Sequence, residues 1–321
     1  MTCVDLYKHA NSQPLALQLT RWSCEDECKY DCMHRITDLA TMSLKNDIFR
    51  SRVEQYYGKW PFWRFLGMQE PASVLFSLLN MLAHIEGERN LMRRISKNHP
   101  MRPYYAIYVA LGINTWVWSA IFHTRDKPLT EKLDYFSASL AIIYSLYLAV
   151  VRIFRLYRPP KLYLQQPAAS SSLIPARHIL RTLWGILCAL LYTAHVLYLS
   201  LLPQFDYSYN MAANVIIGII HNLLWIAYSF PVVGLRRFDY QPRNYIPKYA
   251  WKPAAIAVGI TLASMLELFD FSPWWRVIDA HSLWHLSTVP LMRLWYRFLV
   301  EDAMDPGWTS GRLPLGKVSR D

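Results

Sequence analysis

Charge is scarce in this chain, and three long stretches have none at all: Pro103 to Thr124, Thr182 to Leu202 and Tyr207 to Leu235 contain no Asp, Glu, Lys or Arg. Only 18% of the 321 residues are charged, against 53% hydrophobic and 15% aromatic, which excludes an ordinary soluble chain as well as disordered and collagenous classes. Each uncharged stretch is long enough for the ~20 residues that a helix needs to cross a bilayer, so a polytopic all-α membrane protein is expected. A mean hydropathy of +0.09 is compatible with this, because the charges crowd into short connections and two polar ends. There is no internal repeat and no N-x-S/T site. Also missing is a signal peptide: Thr2 and Cys3 follow Met1 directly, without a basic or an apolar region, and a truncated or processed start is expected.

What is present is a run of seven apolar segments, at about 71–88, 104–123, 134–156, 179–202, 211–234, 253–271 and 280–299. The connections after the first, third and fifth are basic: Arg89, Arg93, Arg94, Lys97 and Arg102; Arg155, Arg158, Lys161 and Arg177; Arg236, Arg237, Arg243, Lys248 and Lys252. The tail adds Arg312, Lys317 and Arg320, whereas Pro203 to Asn210 has no Lys or Arg and the connection after the sixth segment has only Arg276. The positive-inside rule places the C-terminus in the cytosol and the N-terminus in the lumen or outside. The net charge of +11 therefore serves topology and anionic headgroups, and no nucleic-acid partner is expected. Three regions are delimited: a Cys-rich lumenal segment over 1–70, a seven-transmembrane-helix bundle over 71–300 and a cytosolic tail over 301–321.

Four of the five cysteines, Cys3, Cys24, Cys28 and Cys32, lie in the N-terminal segment. In an oxidising compartment they read as disulfides; the competing reading is a zinc site, since Cys24, Cys28 and Cys32 share a helical face. Cys188, within the fourth segment, is expected to be a packing residue. Gln165 to Ser172 reads as a cytosolic linker. Trp60, Phe62, Trp63 and Phe65 in GKWPFWRFLG read as an interfacial anchor and a surface for lipid entry.

Ionisable groups inside spans are costly, so their positions carry the functional signal. Ser119 and His123 stand four apart at the end of the second segment, Asp134 opens the third, and His281 and His285 stand four apart at the start of the seventh. Parity and charge bias bring all five to one lumenal depth. Three His with a carboxylate match a catalytic zinc site with three protein ligands and one open position. His123, His281 and His285 are the expected ligands, Asp134 the general base and Ser119 a donor to the developing oxyanion, which together suggest ester or amide hydrolysis at the membrane surface. His84, His195 and His221 lack such company and read as structural. Glu267 and Asp270 need partners inside the bundle or help shape the site, and Asp279 is either a group behind His281 or an interfacial acid.

The combination of SxxxH, an Asp eleven residues after that His and a C-terminal HxxxH resembles the superfamily of seven-helix membrane hydrolases that contains alkaline ceramidases and the adiponectin and progestin receptors. More narrowly, WSCEDECKYDCM, GKWPFWRFLGMQEPAS, FHTRDKPLTEKLDYFSAS, SLLPQFDYSYNMAANVIIG, LELFDF and DAHSLWHLSTVP are similar to the GPI-anchor lipid-remodelling phospholipases, with the likeness running from Cys3 to Asp302. The resemblance implies an enzyme of the endoplasmic reticulum or Golgi that removes the unsaturated sn-2 acyl chain from the phosphatidylinositol of GPI-anchored proteins. It also implies zinc on His123, His281 and His285, with Ser119 and Asp134 completing the site. The family pattern includes a signal peptide and cysteines upstream of Cys3 that this sequence does not display. Two alternatives share the sequence features: a ceramidase-like lipid amidase, and a non-catalytic seven-helix receptor or chaperone for GPI-anchored cargo.

Overall fold

The computed structural model describes residues 14–43, 53–157, 173–230 and 235–308. These form nine α-helices and one 3-10 turn: α1 (Leu15–Leu19), α2 (Cys24–Ser43), α3 (Pro71–Arg94), α4 (Arg102–Thr124), α5 (Pro128–Ile153), α6 (Leu173–Leu201), α7 (Tyr207–Ser229), α8 (Lys252–Phe269), α9 (Ala280–Ala303) and the turn Pro306–Trp308. Among the described residues the only extended pairing is three isolated bridges, Tyr56 with Lys59, Phe65 with Met68 and Trp274 with Ile278. The Gln165 to Ser172 stretch, Cys3 and the tail beyond Trp308 lie outside the described residues.

Helix starts follow local chemistry. Ser23 and Asp26 form a capping box at α2, with the Asp26 N–H donating to Ser23 Oγ (3.2 Å) and the Ser23 N–H to Asp26 Oδ2 (3.0 Å). Asp206 caps α7 by accepting the Tyr209 N–H at 2.9 Å. Asp279 and Ser282 exchange the same pair of bonds at α9: the Ser282 N–H donates to Asp279 Oδ1 (2.9 Å) and the Asp279 N–H to Ser282 Oγ (3.0 Å). Asp279, which the sequence left as either a group behind His281 or an interfacial acid, is thus the cap of the helix that carries His281 and His285.

Five helices, α4, α5, α6, α7 and α8, are long and apolar enough to cross a membrane, and the protein is a multi-pass membrane protein. The expectation of seven spans is met on length and composition by these five. The other two long helices, α3 and α9, fall short in apolarity because they carry charges, Glu86, Glu88 and Arg89 on α3 and Arg293, Arg297, Glu301 and Asp302 on α9, besides buried polar side chains such as Asn80, His84 and His285. On α6, Leu180, Leu183, Leu187, Leu190 and Leu191 are exposed, as are Ile216, Ile219, Ile220 and Leu223 on α7. Apolar surface of that extent is stable against lipid and not against water.

The chain divides into two compact units, one from 1–82, 116–135 and 262–289, the other from 83–115, 136–261 and 290–321. In the first, α1 and α2 pack with the segment before α3. That segment makes two tight turns with consecutive positive φ, Tyr57 (53°) with Gly58 (80°) and Leu66 (50°) with Gly67 (80°). Gly67 is required twice over, since a Cβ there would lie 2.4 Å from Thr20 Oγ1 and 2.7 Å from the Ala16 carbonyl. Its own carbonyl accepts the Trp22 indole N–H at 2.9 Å. Phe62 turns into this unit and is buried, while Trp63 and Phe65 of the same aromatic run are exposed.

The clustered cysteines lie one turn apart along α2. Cys28 is disulfide-bonded, whereas Cys24 and Cys32 are free thiols, a correction to the expectation of disulfides throughout the cluster. Residues four apart on one helix hold their Cβ atoms ~5–6 Å apart, too far for a disulfide, so the partner of Cys28 comes from another segment. Cys188 is buried, as expected of a packing residue.

The second unit is built around a buried ion pair. Arg152, at the end of α5, donates from Nε to Asp302 Oδ2 (2.7 Å) and from Nη2 to Oδ1 (2.6 Å), and both side chains are essentially inaccessible. Tyr228 donates to the same carboxylate (2.7 Å), and Arg152 Nη1 donates to the Arg237 carbonyl (2.8 Å). Trp225, Tyr228, Tyr296, Phe298 and Trp308 belong to the surrounding core. His84 and Tyr296 bond at 2.7 Å, His195 pairs with Ser139 at 3.2 Å, and His221 accepts the Trp225 indole N–H at 3.1 Å, so the three histidines read as structural do have structural partners. Removing one partner of a buried, hydrogen-bonded ion pair costs about 3–5 kcal/mol. Asp302→Ala is therefore expected to lower the thermal midpoint in detergent sharply. The double variant Arg152→Met with Asp302→Leu should recover much of the loss, as read by fluorescence-detected size exclusion after heating.

Candidate functional site

The first unit brings His123, His281 and His285 together, with one ligand nitrogen from each lying within 4.8 Å of the others. Local structure explains how. His123 ends α4, one turn after Ser119, and His281 and His285 occupy the first two turns of α9, which the Asp279–Ser282 box fixes in place. Asn80 on α3 ties α9 down at the same level: its amide donates to the His285 carbonyl (2.7 Å) and its oxygen accepts from Thr288 (3.1 Å).

The tautomers follow from the partners of the three rings. His123 Nδ1 donates to Glu70 Oε2 at 2.7 Å, and His281 Nδ1 donates to Glu267 Oε2 at 2.6 Å. A carboxylate can only accept, so both Nδ1 atoms carry a proton and both Nε2 atoms are turned toward the other rings. Those two Nε2 atoms face each other at 3.2 Å. A proton shared between them or a bound cation would satisfy both nitrogens. Tetrahedral zinc with ligands at ~2.0–2.1 Å places neighbouring ligand atoms at about that spacing, so the donor set fits the metal. His285 bonds through Nδ1 to Ser77 Oγ (3.0 Å), which leaves its Nε2 as the third ligand atom. Each ring is thereby oriented by a bond from its other nitrogen, the arrangement by which partners behind metal ligands fix ring orientation and raise basicity. His123 and His285 are buried, while the His281 and Glu267 side chains remain about 30% accessible and form the open side.

Glu70 is held from two directions. Its backbone N–H donates to the His123 carbonyl at 3.0 Å, and Lys59 binds its other carboxylate oxygen. Lys59 also reaches Asp126 at 3.2 Å. Burial alone would raise the Glu70 carboxyl, but Lys59 and His123 outweigh it and hold it well below the usual carboxylate range. Burial would likewise lower the Lys59 ammonium, and Glu70 and Asp126 reverse this. Both groups stay charged at physiological pH, so His123 always faces an anion.

All five residues expected from the sequence belong to this unit. Ser119 is buried and bonds to Ser77 Oγ at 3.0 Å. Asp134, in the second turn of α5, interacts electrostatically with His123 and His281. Asp270 accepts from the Trp60 indole at 3.0 Å and the Gln55 amide at 3.1 Å, and stands outside the histidine cluster. Glu267 does shape the site, through His281. Glu70, Lys59, Ser77 and Asn80 escaped sequence reading; the only available signal was that each is a polar residue at or near the start of an apolar segment. Loss of the bond behind a metal-ligating His typically costs 10–100-fold in metal affinity. Glu267→Ala is expected to show that loss when purified protein is titrated against a chelator and its zinc content measured by plasma mass spectrometry.

The profile of the Per1-like family matches residues 14–303. Protein PER1 homolog of Schizosaccharomyces pombe is 38% identical over 303 residues, covering 93% of this chain and 82% of its own length. Proteins named GPI-specific phospholipase A2-like PGAP3 are similarly close: that of Danio rerio is 39% identical over 294 residues (92% of this chain, 81% of its own), and that of Homo sapiens 37% over 292 residues (91% and 80%). No solved structure matches. With the family profile spanning nearly the whole chain and relatives of this similarity aligned along most of their length, the protein belongs to the Per1-like family.

Proposed function

We propose that this protein is a zinc-dependent lipid acyl hydrolase, acting like a phospholipase A2 on GPI-anchored proteins to remove the unsaturated sn-2 acyl chain of their phosphatidylinositol. The observation that carries this reading is the pair of Nε2 atoms at 3.2 Å whose Nδ1 partners are both carboxylates, in a membrane protein whose relatives are named GPI-specific phospholipase A2-like. Such a site selects a cation and leaves one side open. His123, His281 and His285 would hold a zinc ion, which when bound would supply Lewis acidity and an activated water for attack on an ester carbonyl.

The chain's own residues supply the rest. Asp134 takes the proton of the attacking water as general base and returns it to the leaving lysolipid oxygen. Glu70 and Glu267 hold His123 and His281 against rotation, and burial of His123 and His285 keeps bulk water from that side of the site. The exposed Trp63 and Phe65 suit the lipid interface through which an acyl chain would enter. Positive-inside topology with α3 and α9 crossing as sixth and seventh spans puts the site in the lumenal leaflet, where GPI-anchored proteins carry their lipid, and the cytosolic tail opposite. The Cys28 disulfide supports an oxidising compartment, the endoplasmic reticulum or Golgi.

The test is mass spectrometry of the lipid on one GPI-anchored reporter, in cells lacking the protein and rescued at matched expression with wild type, His281→Ala or Asp134→Asn. Wild type should remove the unsaturated sn-2 chain, and removal by Asp134→Asn should fall by about 10²–10⁴-fold, the contribution of a positioned general base. Equal rescue by both variants would make the site structural and favour a receptor or chaperone; free sphingoid base from ceramide with unchanged reporter lipid would favour an amidase.

A further inference from the structure

We propose that Ser77 is a positioning residue of this site: it accepts the Nδ1 proton of His285 and the hydroxyl proton of Ser119, and so fixes the nitrogen that His285 presents to a metal. This rests on the metal-site reading given above.

Ser77 is fully buried on α3, and three polar atoms crowd its Oγ: the Ser73 carbonyl oxygen at 2.7 Å, Ser119 Oγ at 3.0 Å and His285 Nδ1 at 3.0 Å. A hydroxyl offers one proton and two lone pairs. The carbonyl can only accept and is the nearest of the three at 2.7 Å, so the Ser77 proton is assigned to it. Both Ser77 lone pairs are then available to donors, and the two remaining neighbours can each donate. On this assignment His285 gives its Nδ1–H, which also faces the Ser73 backbone, and Ser119 gives its O–H. The opposite assignment, with Ser77 donating to His285, would leave the Ser73 carbonyl without this proton and would put the His285 proton on Nε2, pointing at His123 and His281, whose rings lie 5.1 and 4.5 Å from it between centroids.

Two consequences follow. His285 differs from its two fellow histidines in being held by a neutral hydroxyl, which suits the most enclosed of the three positions, where a third carboxylate would be a buried charge without a cationic partner. Ser119, in turn, spends its proton on Ser77. In the resting site it therefore acts through Ser77 and His285, as a second positioning residue.

The deciding experiment uses the full chain, purified in detergent and loaded with Co²⁺ as a spectroscopic stand-in for zinc, with chelator competition as the affinity readout. Ser77→Ala should hold Co²⁺ and Zn²⁺ 10–100-fold more weakly than wild type and shift the cobalt absorption bands. Ser77→Thr, which keeps the hydroxyl, should recover most of the affinity. Ser119→Ala should weaken metal binding a few-fold and perturb the same bands, because Ser77 keeps its bond to His285 but loses one donor. If Ser77→Ala proves unstable on size exclusion, the Ser77→Thr and Ser119→Ala spectra decide. Wild-type affinity and bands in Ser77→Ala, or unaltered bands in Ser119→Ala, would overturn the positioning role while leaving the hydrolase reading intact. A wild-type protein that takes up no metal would overturn both.

Discussion

The bond from His123 Nδ1 to Glu70 decides what the site can be. It puts the imidazole proton on the side facing away from the other two rings, and the same choice is enforced on His281 by Glu267. Without those acceptors, each ring could turn or change tautomer, and three adjacent histidines would hydrogen-bond among themselves as they do in many buried clusters. With them, the two Nε2 atoms are held facing each other. The carboxylate behind His123 is itself secured by Lys59 and by a backbone bond to the His123 carbonyl, so ligand and orienting group move as one piece. Orientation of this kind is what keeps a metal site at fixed geometry in an otherwise apolar helical setting.

Buried polarity in this protein is concentrated in two places and handled by two different means. Around the histidines, acids, hydroxyls and an amide orient the rings so that their other nitrogens turn toward one another. Around Arg152 and Asp302 the two charges are paired: the guanidinium spans both carboxylate oxygens and donates to a backbone carbonyl, and Tyr228 donates to the same carboxylate. A paired network of this kind fixes structure. The histidine group, with two ring nitrogens 3.2 Å apart, is spaced to take up a ligand.

The segment before α3 links α1 and α2 to this chemistry. Its two tight turns at Gly58 and Gly67 fold it back on itself, and it delivers Lys59 and Glu70 to the end of α4. A stretch whose aromatic residues read as a membrane-interface anchor therefore also contributes to the histidine site. Phe62 shows the same duality, being buried where its neighbours Trp63 and Phe65 stay exposed.

Much of this was legible in the sequence because it is local. Charge-free stretches specify apolar helices, and the SxxxH and HxxxH spacings put Ser119 with His123 and His281 with His285 on single faces whatever the rest of the chain does, since one helical turn fixes both. Alternation of helix direction then carries all five candidate residues to one end. The count of seven spans was less secure, because α3 and α9 dilute their apolarity with charges toward their C-terminal ends and with polar side chains such as Asn80 and His285. The tertiary structure alone decided which nitrogens face inward. Glu70 meets His123 across 53 residues and Ser77 meets His285 across 208, and no periodicity connects positions so far apart. Hydrogen-bond partners are selected by packing between helices, so the sequence names the histidines and the fold sets how each ring is turned.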